Sequence, residues 1–179
     1  RTPDDADSLR KKVDAGELKR VVVVGGGLIG LEVAENLADR GVKTSVIDFA
    51  PHVLSEMLDP EMSEYVENAM ANAGIMPFTG VALEGITGTG KVEKVLTSRR
   101  PMKADAVVLA MGFRPNTDFL ADSGLEMVKG TLLVDEHMQT NDPDIYAAGD
   151  CALVTSRITG QRQWSAMGST ANICGRLAA

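Results

Sequence analysis

The sequence predicts an α/β fold in which a parallel sheet is joined to a β-meander, and three observations lead there. Residues 21–24 are four consecutive valines, β-branched and apolar on both faces, as in a parallel strand covered by helices on each side. A glycine-rich turn, Gly25-Gly26-Gly27-Leu28-Ile29-Gly30, follows at once, and apolar residues then recur at helical spacing. Further on, two short strands flank Gly88-Thr89-Gly90 and interrupt the strand–helix alternation.

Taken in order, a short surface helix is expected over 7–13, with Leu9 and Val13 on one face and Asp5 or Asp7 as its cap. The strand at 21–24 and the glycine turn come next. A helix over 28–40 carries Leu28, Leu31, Ala34, Leu37 and Ala38 at helical spacing, and Gly41 ends it. A second apolar strand covers 44–48. A second long helix covers 60–73 with Met62, Val66, Ala69 and Met70 inward, closed by Gly74. Short strands follow at 75–78, 81–87 and 91–97, the last two forming a hairpin. A buried strand at 106–110 runs into Met111-Gly112. The order is β-α-β-α-β, a meander, then a last parallel strand. From Phe113 onward the pattern loosens. A loop at 113–116 leads to a short helix near 117–122, strands at 131–134 and 145–148, an irregular connection over 153–164 and a helix over 169–179. This stretch has strands without a complete core of its own.

Each part of the glycine turn has a separate mechanical reason. Gly25 makes the tight turn, Gly27 lets a pyrophosphate approach the backbone, and Gly30 lets the helix pack against the strand. The free N–H groups at that helix start suit phosphates. Asp48 ends the second strand, at the distance of roughly 20 residues where a carboxylate can accept both hydroxyls of a ribose. A lone GxGxxG is weak evidence, but here a strand precedes it, a helix follows it and an acid is correctly spaced. The first part of the chain therefore reads as a Rossmann-like dinucleotide-binding domain. Phe49-Ala50-Pro51-His52 contains no Arg or Lys to receive a 2′-phosphate and Asp48 would repel one, which favours NADH over NADPH. His52 either touches the adenosine or is a surface-loop histidine.

Composition narrows the classes. The 179 residues give room for one large domain or one and a half small ones, and 44% hydrophobic residues suit a packed core. A net charge of -7 argues against nucleic acid or an anionic membrane as partner. No apolar run reaches transmembrane length. Cys151 and Cys174 are not spaced as a redox CxxC pair or a metal site, so no metal ligand is assigned and a cytoplasmic location is expected. The chain begins at Arg1 without a methionine and stops within a segment that reads as helix, which points to a piece of a longer protein.

With these residues in hand, the chain resembles the pyridine nucleotide-disulfide oxidoreductases, and is most similar to the group of CoA-disulfide reductases, NADH oxidases and NADH peroxidases. Three motifs in order carry the resemblance. They are Gly25-Gly26-Gly27-Leu28-Ile29-Gly30-Leu31-Glu32, then Ala110-Met111-Gly112-Phe113-Arg114-Pro115-Asn116, then Thr140 through Ile145-Tyr146-Ala147-Ala148-Gly149-Asp150. The resemblance implies an NADH-binding domain over 1–112 and the incomplete C-terminal part of an FAD-binding domain over 113–179. It implies a flavoprotein that passes hydride from NADH to FAD and on to a disulfide, persulfide, oxygen or peroxide. The competing readings are a flavin reductase feeding a ferredoxin or rubredoxin, and a non-catalytic NADH-binding module. By resemblance, Leu28 stands where many relatives carry an aromatic that gates the flavin, and Glu32 approaches the nicotinamide end. Glu32 also reads as an acid in the first turn that favours the helix dipole. Gly112 lies at the crevice that nicotinamide enters, while Gly149 and Asp150 approach the ribityl chain of FAD. The redox-active cysteine and the homodimer interface would lie outside this chain, so no catalytic side chain is assigned and the chain alone is expected to be inactive.

Overall fold

The computed structural model describes residues 2–179, and the chain divides into two compact units, Arg1–Gly112 and Phe113–Ala179. The first unit opens with α1 (Pro3–Asp14). This helix starts earlier than expected because Thr2, not Asp5 or Asp7, is its cap. Asp5 N–H donates to Thr2 Oγ1 (3.3 Å) and Thr2 N–H donates back to Asp5 Oδ2 (2.8 Å), a reciprocal capping box with proline at the first helical position.

Next come β1 (Arg20–Val24), α2 (Leu28–Asp39), β2 (Lys43–Ile47), α3 (Pro60–Asn72), β3 (Met76–Phe78), β4 (Leu83–Thr87), β5 (Lys94–Thr97), β6 (Met102–Lys103) and β7 (Ala106–Leu109). Four of these strands form a parallel sheet in the order β3-β2-β1-β7, with Val24 beside Ile47 on one side and Leu109 on the other. The α/β architecture with a parallel sheet and a meander is thus the one expected. The covering of the sheet is not. One face, carrying Val21, Val23 and Val46, packs on Val13, Ala34, Leu37 and Met70 from the three helices. The other, carrying Val22, Val24 and Ile47, packs on Val95, Ala104, Leu83 and Met102 of the β4-β5-β6 meander and its return. Four buried valines require apolar cover on both faces, but an antiparallel meander supplies it as well as a helix does.

In α3 the inward residues are Ser63 and Met70, with Val66 half-buried, whereas Met62 is 53% exposed. Across the sheet floor, Asp105 accepts the N–H groups of Lys19 (3.0 Å) and Arg20 (2.8 Å) and pairs with the Arg20 guanidinium (3.3 Å), tying the start of β7 to the start of β1.

The second unit holds β8 (Met127–Val128), β9 (Thr131–Leu133), β10 (Ala152–Thr155), β11 (Arg162–Trp164) and α4 (Gly168–Ala178). Its sheet runs β11-β10-β9-β8, parallel only between β9 and β10. Two expectations are corrected here. Residues 153–164 are a hairpin rather than an irregular connection. Residues 145–148 are not a sheet strand, since they make a single bridge between Gln139 and Tyr146. The backbone of 145–147 is instead taken up locally, as Ile145 C=O accepts from Thr140 N–H (2.9 Å) and Ala147 N–H donates to Met138 C=O (3.0 Å). The small core of this unit gathers Leu132, Val134, Met138, Ala147, Ala152 and Cys174.

Candidate functional site

The glycine turn lies between the end of β1 and the start of α2. Gly25 sits at φ +112°, and a Cβ there would meet the Ala110 carbonyl oxygen at 2.2 Å. A Cβ on Gly30 would lie 1.9 Å from the Gly25 carbonyl oxygen, so glycine at this position is what brings α2 against the turn. Gly27 differs from both. It is exposed, has ordinary extended backbone (φ -81°, ψ -179°), and a Cβ on it would meet nothing within 4 Å. The space beside Gly27 is open to a ligand, while Gly25 and Gly30 shape the turn that creates it.

Gly27 caps α2, and no side chain closes the helix start. The first intrahelical bond of this end runs from Leu31 N–H to Gly27 C=O (3.0 Å). The N–H groups before it point outward together with the positive end of the helix dipole, as an anion requires. Leu28 and Ile29 are 48% and 58% exposed beside this opening.

Asp48 closes the site on the β2 side. Its Oδ2 accepts the Gly26 N–H (2.5 Å) and its Oδ1 accepts the Ala50 N–H (2.8 Å). The carboxylate is half-buried and turned to the glycine turn rather than to bulk water. An ionised carboxylate has about four acceptor positions, so two bonds to backbone leave room for two ribose hydroxyls. Around it the chain is closely tied: Gly25 N–H donates to Ile47 C=O (2.8 Å), Asp48 N–H to Phe78 C=O (3.0 Å) and Leu54 N–H to Gly26 C=O (2.9 Å).

Glu32 lies outside the first turn of α2, which contains no acid. The dipole reading of Glu32 therefore weakens, because that effect falls off within one turn. The residue is exposed. Gly112, at φ +85° with open space where a Cβ would sit, follows β7 on the edge where the sheet strands end. His52 does not point freely into the loop: its Nδ1 lies 3.4 Å from Glu67 Oε1, without the alignment of a hydrogen bond. A cavity of about 370 Å³ sits at the opposite end of the sheet among Arg20, Lys43, Met76 and Lys103, and contains none of the expected site residues.

In the second unit Gly149 adopts φ +80°, and a Cβ there would lie 3.4 Å from Ala171 Cβ. Asp150 is exposed, and its carboxylate makes no hydrogen bond or ion pair among the described residues. Its backbone carbonyl is anchored by Trp164 Nε1–H (2.7 Å), and the Trp164 ring leans on Phe113 with centroids 5.5 Å apart. Cys151 and Cys174 are free thiols, the first half-buried and the second buried. Among the described residues no helix is long and apolar enough to cross a membrane, and no cluster of His, Cys, Asp and Glu has the makings of a metal site.

A parallel strand, a glycine turn with one open face, a helix start that no side chain closes and an acid bonded into the turn together define a dinucleotide-binding fold. The residues present fit such a ligand. The chain belongs to the pyridine nucleotide-disulphide oxidoreductase family, whose pattern matches residues 1–171. It is 39% identical over 178 residues to the NADH oxidase of Methanocaldococcus jannaschii, a match that covers 99% of this chain and 40% of that protein. Two solved structures share the fold closely. The NAD-dependent persulfide reductase from A. fulgidus has a TM-score of 0.93 at 33% identity, covering 99% of this chain and 33% of that one. The ferredoxin reductase from Rhodopseudomonas palustris has a TM-score of 0.90 at 33% identity, covering 100% of this chain and 45% of that one. The chain spans less than half the length of these relatives. The resemblance read from the three motifs is thereby established.

Proposed function

We propose that residues 1–112 form the NADH-binding domain, and residues 113–179 part of the FAD-binding domain, of an oxidoreductase. The observation that carries this reading is the pairing of Asp48 with Gly26 N–H beside the open face of Gly27. In this arrangement the N–H groups around Leu28, Ile29 and Gly30 hold the diphosphate, with Gly25 and Gly30 fixing the turn behind it. Asp48 accepts the hydroxyls of the adenosine ribose and repels a 2′-phosphate. Glu32 and Gly112 border the path of the nicotinamide, and Gly149 and Asp150 receive the ribityl hydroxyls of FAD. When bound, the two cofactors supply the hydride chemistry itself, from nicotinamide to flavin. The residues of this chain supply binding, orientation and charge, and none of them is assigned a covalent step.

For the whole protein, the reading is a cytoplasmic homodimer that passes electrons to a small disulfide, persulfide, oxygen or peroxide. The likeness to the M. jannaschii NADH oxidase and the A. fulgidus persulfide reductase supports that choice of acceptors. The likeness to the R. palustris ferredoxin reductase matches the competing reading, a flavin reductase feeding a ferredoxin or rubredoxin, but the relatives taken together do not favour it. Calorimetric titration of the 179-residue chain tests the binding claim. NADH should give heat that Asp48→Ala abolishes or strongly reduces. Heat with NADPH and none with NADH would overturn the role given to Asp48.

A further inference from the structure

The loop that follows β2 contains a residue in an unusual conformation. Leu54 sits at φ +53°, the left-handed region that a leucine rarely adopts. It has no polar side chain to stabilise itself there, so the surroundings must hold it. Two sets of bonds do so. Leu54 C=O accepts from Met57 N–H (2.8 Å) and Leu58 N–H (3.0 Å), while Leu54 N–H donates to Gly26 C=O (2.9 Å). The residue before it, Val53, is fully buried and donates its N–H to Glu67 Oε1 on α3 (3.0 Å). The same oxygen lies 3.4 Å from His52 Nδ1, and the Glu67 side chain is only 20% exposed.

These bonds form a chain that ends at the glycine turn. Gly26 donates its N–H to Asp48 and accepts at its C=O from Leu54, so it is gripped from both sides. Leu54 can grip it only while 52–54 keeps its course, and the carboxylate on α3 sets that course. Ser63, one helical turn before Glu67 on the same face, is fully buried, which places this face of α3 inward.

We propose that Glu67 is a positioning residue for dinucleotide binding, acting through the 52–54 segment on the glycine turn. It touches no cofactor. By accepting the Val53 N–H, it holds Leu54 where that residue fixes Gly26, and so keeps the turn in the shape that admits a diphosphate. The inference rests on the reading of this turn as the NADH site.

The test is NADH titration of the 179-residue chain, followed by NADH fluorescence, for the wild type and for Asp48→Ala, Glu67→Ala and Glu67→Gln, with urea unfolding of each. The amide in Glu67→Gln retains an oxygen to accept the Val53 N–H, so this variant should bind within about twofold of wild type. Glu67→Ala leaves a buried donor without a partner and should bind about tenfold more weakly. If the wild type fails to bind NADH, the functional reading and this inference fall together. If the wild type binds, Asp48→Ala does not, and Glu67→Ala binds like wild type whatever its stability, only this inference is overturned. A second measurement needs no variant. By linkage, saturating NADH must slow amide exchange at Val53 and Leu54 in the wild type, and unchanged exchange at both would refute the coupling.

Discussion

Gly27 and Gly30 are three residues apart in one motif, yet the structure gives them opposite jobs, and alanine at each separates the two. At Gly30 the new Cβ would lie 1.9 Å from the Gly25 carbonyl oxygen, where 3.0 Å is already closer than real contacts reach. The obstacle is backbone, and Gly25 is itself pinned by its N–H bond to Ile47 C=O at 2.8 Å. Helix α2 must therefore move away from the turn by about 1 Å. Overpacking of this kind costs about 1–3 kcal/mol, and with so little give the upper end applies. Replacing a helical glycine with alanine returns about 1 kcal/mol. The net loss is about 2 kcal/mol, or a fall in Tm of about 8 °C for a unit of this size. At Gly27 a Cβ meets nothing within 4 Å and the backbone angles suit any residue, so the only cost is that of alanine at a helix N-cap, about 0.5–1 kcal/mol or a Tm fall of about 2–4 °C. The same methyl group would occupy the space assigned to the diphosphate, and NADH affinity should fall at least about tenfold. Thermal unfolding by circular dichroism and NADH titration read the two effects independently. A Gly27→Ala chain that binds NADH as tightly as wild type would refute the placement of the ligand. A Gly30→Ala chain with unchanged Tm would refute the packing argument.

Burial raises the Asp105 carboxyl, but the Lys19 and Arg20 N–H groups and the Arg20 guanidinium outweigh it and hold the carboxyl below the usual carboxylate range. A folded-state value below the unfolded one gives stability that is present above the unfolded value near pH 4 and is lost as pH falls through the folded one. Asp105→Ala should therefore cost about 1–2 kcal/mol at pH 7, and urea unfolding should show that gap closing as the pH drops below about 4; a gap that is constant with pH would contradict the assignment. In the second unit, the six-residue core and the exposed Phe119 (80%) and Ile158 (96%) predict weak protection. Hydrogen exchange should be faster across 113–179 than across β1, β2 and β7, and uniformly slow exchange in both units would contradict it.

The strand, turn and helix from Val21 to Asp39 were legible because each residue there answers a local demand. Buried strands want β-branched side chains, turns want glycine, and a helix against a strand wants no Cβ at Gly30. The α1 cap also has a local signal, since Thr2-Pro3-Asp4-Asp5 is a capping-box sequence, but Asp5 and Asp7 carry equally good cap side chains. Other features had no local signal. Val22 and Val24 demand apolar neighbours without saying whether a helix or a meander provides them. The hairpin of β10 and β11 is rich in Thr, Arg and Gln, and only tertiary pairing makes it a strand pair. Ile145-Tyr146-Ala147-Ala148 has strand propensity, yet its backbone groups are consumed by the adjacent turn at 138–142. The grip of Leu54 on Gly26 is the clearest case, since nothing in a leucine announces a left-handed backbone.

The placement of a diphosphate at the start of α2 is tested most directly by the amide shifts of a 15N-labelled chain on adding NADH. The largest changes should fall on Gly27, Leu28, Ile29 and Gly30, with Asp48 and Ala50 shifting beside them. Saturating NADH that leaves those amides still, or moves only residues around the cavity at Arg20, Lys43 and Lys103, would contradict it.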